Sequence, residues 1–258
     1  MSPVDLRNIT HALGWTLIHS VWQITLLGIL VILLRKITRT RNPVLRYRIT
    51  LLFMLSAVAI SAITFAEVLK ATALPEHARL LGLALPVSSF SYQNPVRHTS
   101  RLIRMIVLLD SYSVRIIYFW ILGIAVFGLN NIFGLWRIHR IRKHATKADT
   151  QWLIRLYKLT RMIGIGRKIT LLIHPATRIP FVSGVFKPVI IVPLSLFTGY
   201  STDQIELILL HELEHIRRLD FLAKQVTLWV RTVYFFHPVI WWMDRLLEHD
   251  RELCCDRV

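Results

Sequence analysis

The segment His211-Glu212-Leu213-Glu214-His215 sets two histidines four residues apart. At about 3.6 residues per turn of α-helix, that spacing brings both imidazoles to one face, where two neutral rings can bind one Zn²⁺. Glu212 is turned about 100° away from His211 and cannot join the metal as well, but it can reach a water held beside the ion and accept its proton. The chemistry predicted is metal-assisted hydrolysis with Glu212 as general base.

A catalytic zinc takes a third protein ligand and keeps a position open for water. Glu248, Glu252 and Asp256 recur every four residues downstream and share one helix face, so spacing alone admits any of them, with His249 a further candidate. His174, which precedes Pro175, sits in a context more typical of a structural or exposed residue. His11, His98, His139 and His144 have no partners in the pattern.

The elements that must position these groups begin with a helix whose apolar residues Ile205, Leu207, Ile208, Leu209 and Leu210 lead into His211, with Ser201 or Thr202 as its cap. Upstream, Ile169–Ile173, Pro180–Val185 and Pro188–Val192 are β-rich runs bounded by proline and glycine. Before them, Trp152, Leu153, Leu156, Leu159 and Ile163 mark one face of a helix that Gly164 and Gly166 end.

Composition sets the surroundings. With 54% hydrophobic and 18% charged residues against about a quarter charged in soluble domains, the chain reads as a membrane protein. Its net charge of +17 lies in short basic runs beside apolar segments, as the positive-inside rule expects, so no nucleic-acid partner is implied. Spans are predicted at residues 13–34, 49–69 and 114–136, each near the roughly 20 residues that cross a bilayer. The basic runs at Arg35–Arg48 and Arg137–Lys147 place the N-terminus outside, residues 70–113 in an external loop with a short helix near Leu102–Leu109, and the remainder in the cytoplasm. The division expected is a membrane domain, 1–136, and a cytoplasmic unit, 137–258. Cys254 and Cys255 are adjacent, which excludes a disulfide framework and favours reduced thiols.

Several stretches together resemble the BlaR/MecR-type integral-membrane metallopeptidases, which are gluzincins. They are the 211–215 motif followed by Arg218 and Asp220, Phe236-His237-Pro238 with Trp241 and Trp242, Arg251-Glu252-Leu253-Cys254-Cys255-Asp256, Pro180–Gly184 with Lys187–Ile190, and His19–Gln23. The resemblance implies Glu252 as the third zinc ligand and Asp256 as a carboxylate that orients a ligand histidine. It also implies a bacterial inner-membrane protease that transduces a signal by cleaving a cytoplasmic protein, such as a repressor, or itself. Those receptors carry a further span and an external sensor, whereas this sequence stops at Val258, so a truncated chain or a shorter relative is expected.

With Glu252 as ligand, the apolar stretch Phe221–Met243 cannot be a fourth span, because His211 and His215 would then lie on the opposite side from Glu252. Lys224, Arg231 and His237-Pro238 are also costly toward lipid, and the stretch is read as a helical hairpin turning near Pro238. The fold class expected is therefore a mainly α membrane protein, with three transmembrane helices, a cytoplasmic α+β zincin-like metallopeptidase domain with a small β-sheet, and a membrane-associated helical hairpin. Its partners are the bilayer and a protein or peptide substrate; a homodimer is compatible but nothing requires it. Two other readings are a receptor or scaffold with a structural zinc, which would not need Glu212, and a CAAX-type or intramembrane protease. The polar residues Ser201–Glu206 disfavour a mid-bilayer site.

Overall fold

The structure is a computed structural model that describes residues 3–37, 42–73 and 101–255. Three long helices come first: α1 (Pro3–Ile37), α2 (Pro43–Ala73) and α3 (Arg101–His144). They contain the apolar stretches Asn8–Ile37, Pro43–Thr72 and Tyr112–His144, each long and apolar enough to cross a membrane. Each helix outruns the span read from hydropathy, since polar residues at the ends of an apolar stretch can continue its hydrogen-bond ladder. The short helix expected at Leu102–Leu109 is instead the start of α3, with no proline or glycine to end it before Gly123. The remainder of the expected external loop, 74–100, and Asp256 lie outside the described residues.

The second half alternates short elements: β1 (Thr146–Lys147), α4 (Thr150–Ile163), β2 (Thr170–His174), β3 (Phe181–Ser183), β4 (Val189–Pro193), α5 (Ser195–Gly199), α6 (Thr202–Arg217), α7 (Asp220–Val233) and α8 (Pro238–Cys255). The sheet order is β1-β2-β4-β3, with β2 and β4 parallel and both outer pairings antiparallel. Every residue of β4 is buried, as the central position of an apolar strand requires, while β3 is an edge. Gly164 ends α4 in the left-handed conformation at φ 80° and donates to the carbonyls of Arg161 and Thr160. The two-residue β1 and the short α5 carry too little periodicity to be read from sequence.

Two large apolar cores result, with a smaller third at Leu172, Val189 and Ile191 on the other face of the sheet strands β2 and β4. One packs Leu156 and Leu159 of α4, Leu171 of β2 and Ile190 of β4 against Ile205, Leu209 and Leu213 of α6. The other joins the spans to the last two helices through Ile24, Val31, Met54, Ile240, Met243 and Leu247.

α7 and α8 form the expected hairpin, with Pro238 as the first residue of α8, where its missing N–H costs nothing. Its charges pair between the arms: Arg231 with Asp244 at 2.8 Å and Lys224 with Glu248 at 3.7 Å. The tip is seated deep among the long helices. His237 Nδ1 accepts from Val239 N, so Nε2 carries the proton and donates to the Val21 carbonyl at 2.9 Å. Trp120 Nε1 donates to the Val233 carbonyl, and Asn131 donates to Thr232 Oγ1. Two glycines make room: a Cβ on Gly123 would lie 2.0 Å from the Phe235 ring, and one on Gly28 2.5 Å from Val239 Cγ1.

Candidate metal centre

α6 positions the motif from both ends. Ser201 and Gln204 form a reciprocal capping box, with Gln204 N donating to Ser201 Oγ and Ser201 N donating to Gln204 Oε1. Ile205, Leu209 and Leu213 hold one face of the helix on the sheet, which turns His211 and His215 the opposite way, toward α8. The two rings are edge to face with centroids 4.9 Å apart.

Glu252 of α8 closes the group. Its Oε2 lies 3.6 Å from His211 Nε2 and 3.8 Å from His215 Nε2. A ligand atom from each of the three falls within 4.8 Å of the other two. Donors on a tetrahedral zinc, at 2.0–2.1 Å from the ion, stand about 3.3 Å apart, so the two distances to Glu252 are within about half an ångström of coordinating separation. Glu248, one turn earlier, is occupied by Lys224 and Arg251, the latter at 3.4 Å. His249 is exposed, and His174 Nδ1 accepts from Ala176 N at the end of β2, so neither joins the cluster.

Glu212 is buried, at 8% exposure. Burial pushes its carboxyl up to about 7, the His215 charge opposes that shift and Glu252 adds to it. With His211 it lines a cleft of about 470 Å³ whose walls include Arg178, Ile179, Leu207 and Ile208. A carboxylate tuned into this range is suited to taking and returning a proton near neutrality.

Asp220 is the contact that the sequence did not single out for chemistry. Its Oδ2 lies 2.8 Å from His215 Nδ1, which fixes the ring and leaves Nε2 facing Glu252 and His211. Cys255 Sγ lies 3.4 Å from the same Nδ1, and Arg218 lies 3.7 Å from Asp220 Oδ1. Burial lowers the His215 pKa, but the hydrogen bonds the ring makes to Asp220 and Cys255, with the charges of Cys255 and Glu212, outweigh it and raise it to about 10. Asp220 is brought back to the ring by Leu219, which adopts the left-handed conformation at φ 59° between α6 and α7. Only the appearance of Arg218 and Asp220 just past the motif hinted at this. Cys254 and Cys255 are both free and buried.

The chain is 30% identical to "Regulatory protein BlaR1" of Bacillus licheniformis over 138 residues, 53% of this chain and 23% of that relative. It is also 30% identical over 78 residues to "Methicillin resistance mecR1 protein" of Staphylococcus aureus and of Staphylococcus epidermidis, in each case 30% of this chain and 13% of the relative. The matched region thus spans less than a quarter of these relatives' length. The family model described as "BlaR1 peptidase M56" matches residues 15–258, and the chain accordingly belongs to the M56 peptidase family.

Proposed function

We propose that this protein is a zinc-dependent endopeptidase of the bacterial cytoplasmic membrane, with a zincin-like unit at residues 137–258 and an active site facing the cytoplasm. The observation that carries the reading is the convergence of His211 Nε2 and His215 Nε2 on one oxygen of Glu252, beside a buried Glu212. Two imidazole nitrogens and a carboxylate are a donor set zinc accepts in hydrolytic sites, so the residues fit the ion; His211, His215 and Glu252 would hold it. A zinc ion bound there supplies Lewis acidity that acidifies a water and polarises a carbonyl.

The chain's own residues carry the remaining steps. Glu212 takes a proton from the attacking water and returns it to the leaving amine, and its buried carboxyl suits both transfers. Asp220 keeps His215 in one orientation throughout. The edge strand β3 offers unpaired backbone groups to which an extended peptide can add, giving recognition through the main chain.

The substrate we infer is a cytoplasmic protein, such as a repressor, or the chain itself, cleaved in response to a signal, by analogy with the relative named as a regulatory protein. The test is metal analysis of the purified protein together with self-cleavage and repressor-cleavage assays on wild type and Glu212→Ala. Stoichiometric zinc in both and hydrolysis in wild type alone is the expected result; proteolysis retained by Glu212→Ala would overturn the mechanism.

A further inference from the structure

Two successive residues near the start of α2 reach the two helices that bring the candidate ligands together. Arg46 Nη2 lies 3.0 Å from Asp250 Oδ1, and Arg35 of α1 grips both oxygens of the same carboxylate, donating to Oδ2 from Nη1 and to Oδ1 from Nη2 at 3.3 Å. Asp250 has no exposed surface and precedes Glu252 by two residues on α8. Tyr47, also buried, presents its ring to the Arg218 guanidinium, 5.3 Å from Cζ to centroid. Arg218, just past α6, lies 3.7 Å from Asp220, whose other oxygen holds His215. Arg218 also donates to the Arg251 carbonyl at 3.5 Å, tying the end of α6 to α8 next to Glu252.

A desolvated carboxylate held by two guanidinium groups resists displacement, because any shift leaves a buried charge without its partner. Arg46 and Tyr47 share one turn of a rigid helix, so the grip on α8 and the grip on the end of α6 move together. We propose that Arg46 and Tyr47 are a positioning pair that sets the separation of α6 and α8. The metal affinity of the His211–His215–Glu252 site is thereby coupled to how the basic ends of α1 and α2 sit against the peptidase unit. Any event that shifts those ends is read as a change in coordination at the site.

The proposal rests on the reading of the site as a zinc centre, and its test separates the two. Full-length protein in lipid nanodiscs is titrated with Zn²⁺ against a chelator, and the Co²⁺ form is examined by visible absorption. Unfolding temperature is measured in excess chelator. Arg46→Gln leaves Asp250 its Arg35 partner, and Tyr47→Leu keeps an apolar side chain in place, so both variants are suited to folding. Each is expected to weaken zinc binding about tenfold or more and to alter the Co²⁺ spectrum, with unfolding temperature in chelator unchanged. Arg46→Lys keeps the charge and is expected to recover most of the affinity. Wild-type affinity and spectrum in both Arg46→Gln and Tyr47→Leu overturn the positioning role while leaving the zinc centre standing. A loss of affinity matched by loss of stability in chelator, and not recovered by Arg46→Lys, assigns the pair a merely structural role and also overturns it. A wild-type protein that binds no zinc overturns the site itself.

Discussion

Asp220 holds His215 Nδ1 at 2.8 Å and is 4% exposed, so its removal leaves that ring nitrogen only the longer, weaker contact with Cys255 Sγ at 3.4 Å. Asp220→Ala is expected to weaken zinc binding about 10–100-fold by chelator competition. Asp220→Asn retains an acceptor for the ring proton, and its affinity should fall between that variant and wild type. At the third ligand, Glu252→Ala should abolish stoichiometric zinc, whereas Glu248→Ala, which removes only partners of Lys224 and Arg251, should keep it; metal analysis of the two purified variants decides. The motif on α6 was legible because four-residue spacing on a helix is local geometry. Asp220 was not, because its return to His215 depends on a left-handed residue at position 219 that leucine rarely adopts.

The turn between α6 and α7 and the tip of the hairpin are the elements whose shape the site depends on. Leu219 is held at φ 59°, where a β-branched side chain is far less tolerated than asparagine. Leu219→Val should therefore destabilise by about 1–2 kcal/mol in thermal unfolding, with Leu219→Asn close to wild type. At the tip, the Phe235 ring is already packed on Phe119 and Phe127 as well as over Gly123. Gly123→Val should displace that ring and cost about 1–3 kcal/mol, measured as a lower unfolding temperature in detergent. The need to keep Glu252 on the side of His211 and His215, with the charges and Pro238 inside the apolar stretch, announced a hairpin, but its depth depends on the clearances at Gly28 and Gly123, and a glycine in a span does not name the residue it makes room for.

At the scale of the whole molecule, the apolar core shared by α1, α2, α7 and α8 ties the candidate metal centre to the long helices. The proposed sidedness can be tested at Phe186, which is 92% exposed between β3 and β4, far more open than the buried Cys254 and Cys255. A Phe186→Cys variant should react with a membrane-impermeant thiol reagent in inverted vesicles and not in intact cells. Labelling from outside would reverse the topology.

What the sequence determined by itself was local: apolar runs long enough to cross a bilayer, strands bounded by proline and glycine, a capped helix bearing two histidines and a glutamate. Each of these follows from neighbouring residues and the period of one element. The tertiary structure decided how the elements meet. It brought Glu252 rather than Glu248 to the imidazoles, because packing of Ile240, Met243 and Leu247 on α1 and α2 fixes α8 along its axis and one turn of offset separates the two carboxylates. It also folded Asp220 onto His215 and sank the hairpin among the spans, since contacts between distant segments depend on the packing of the whole chain.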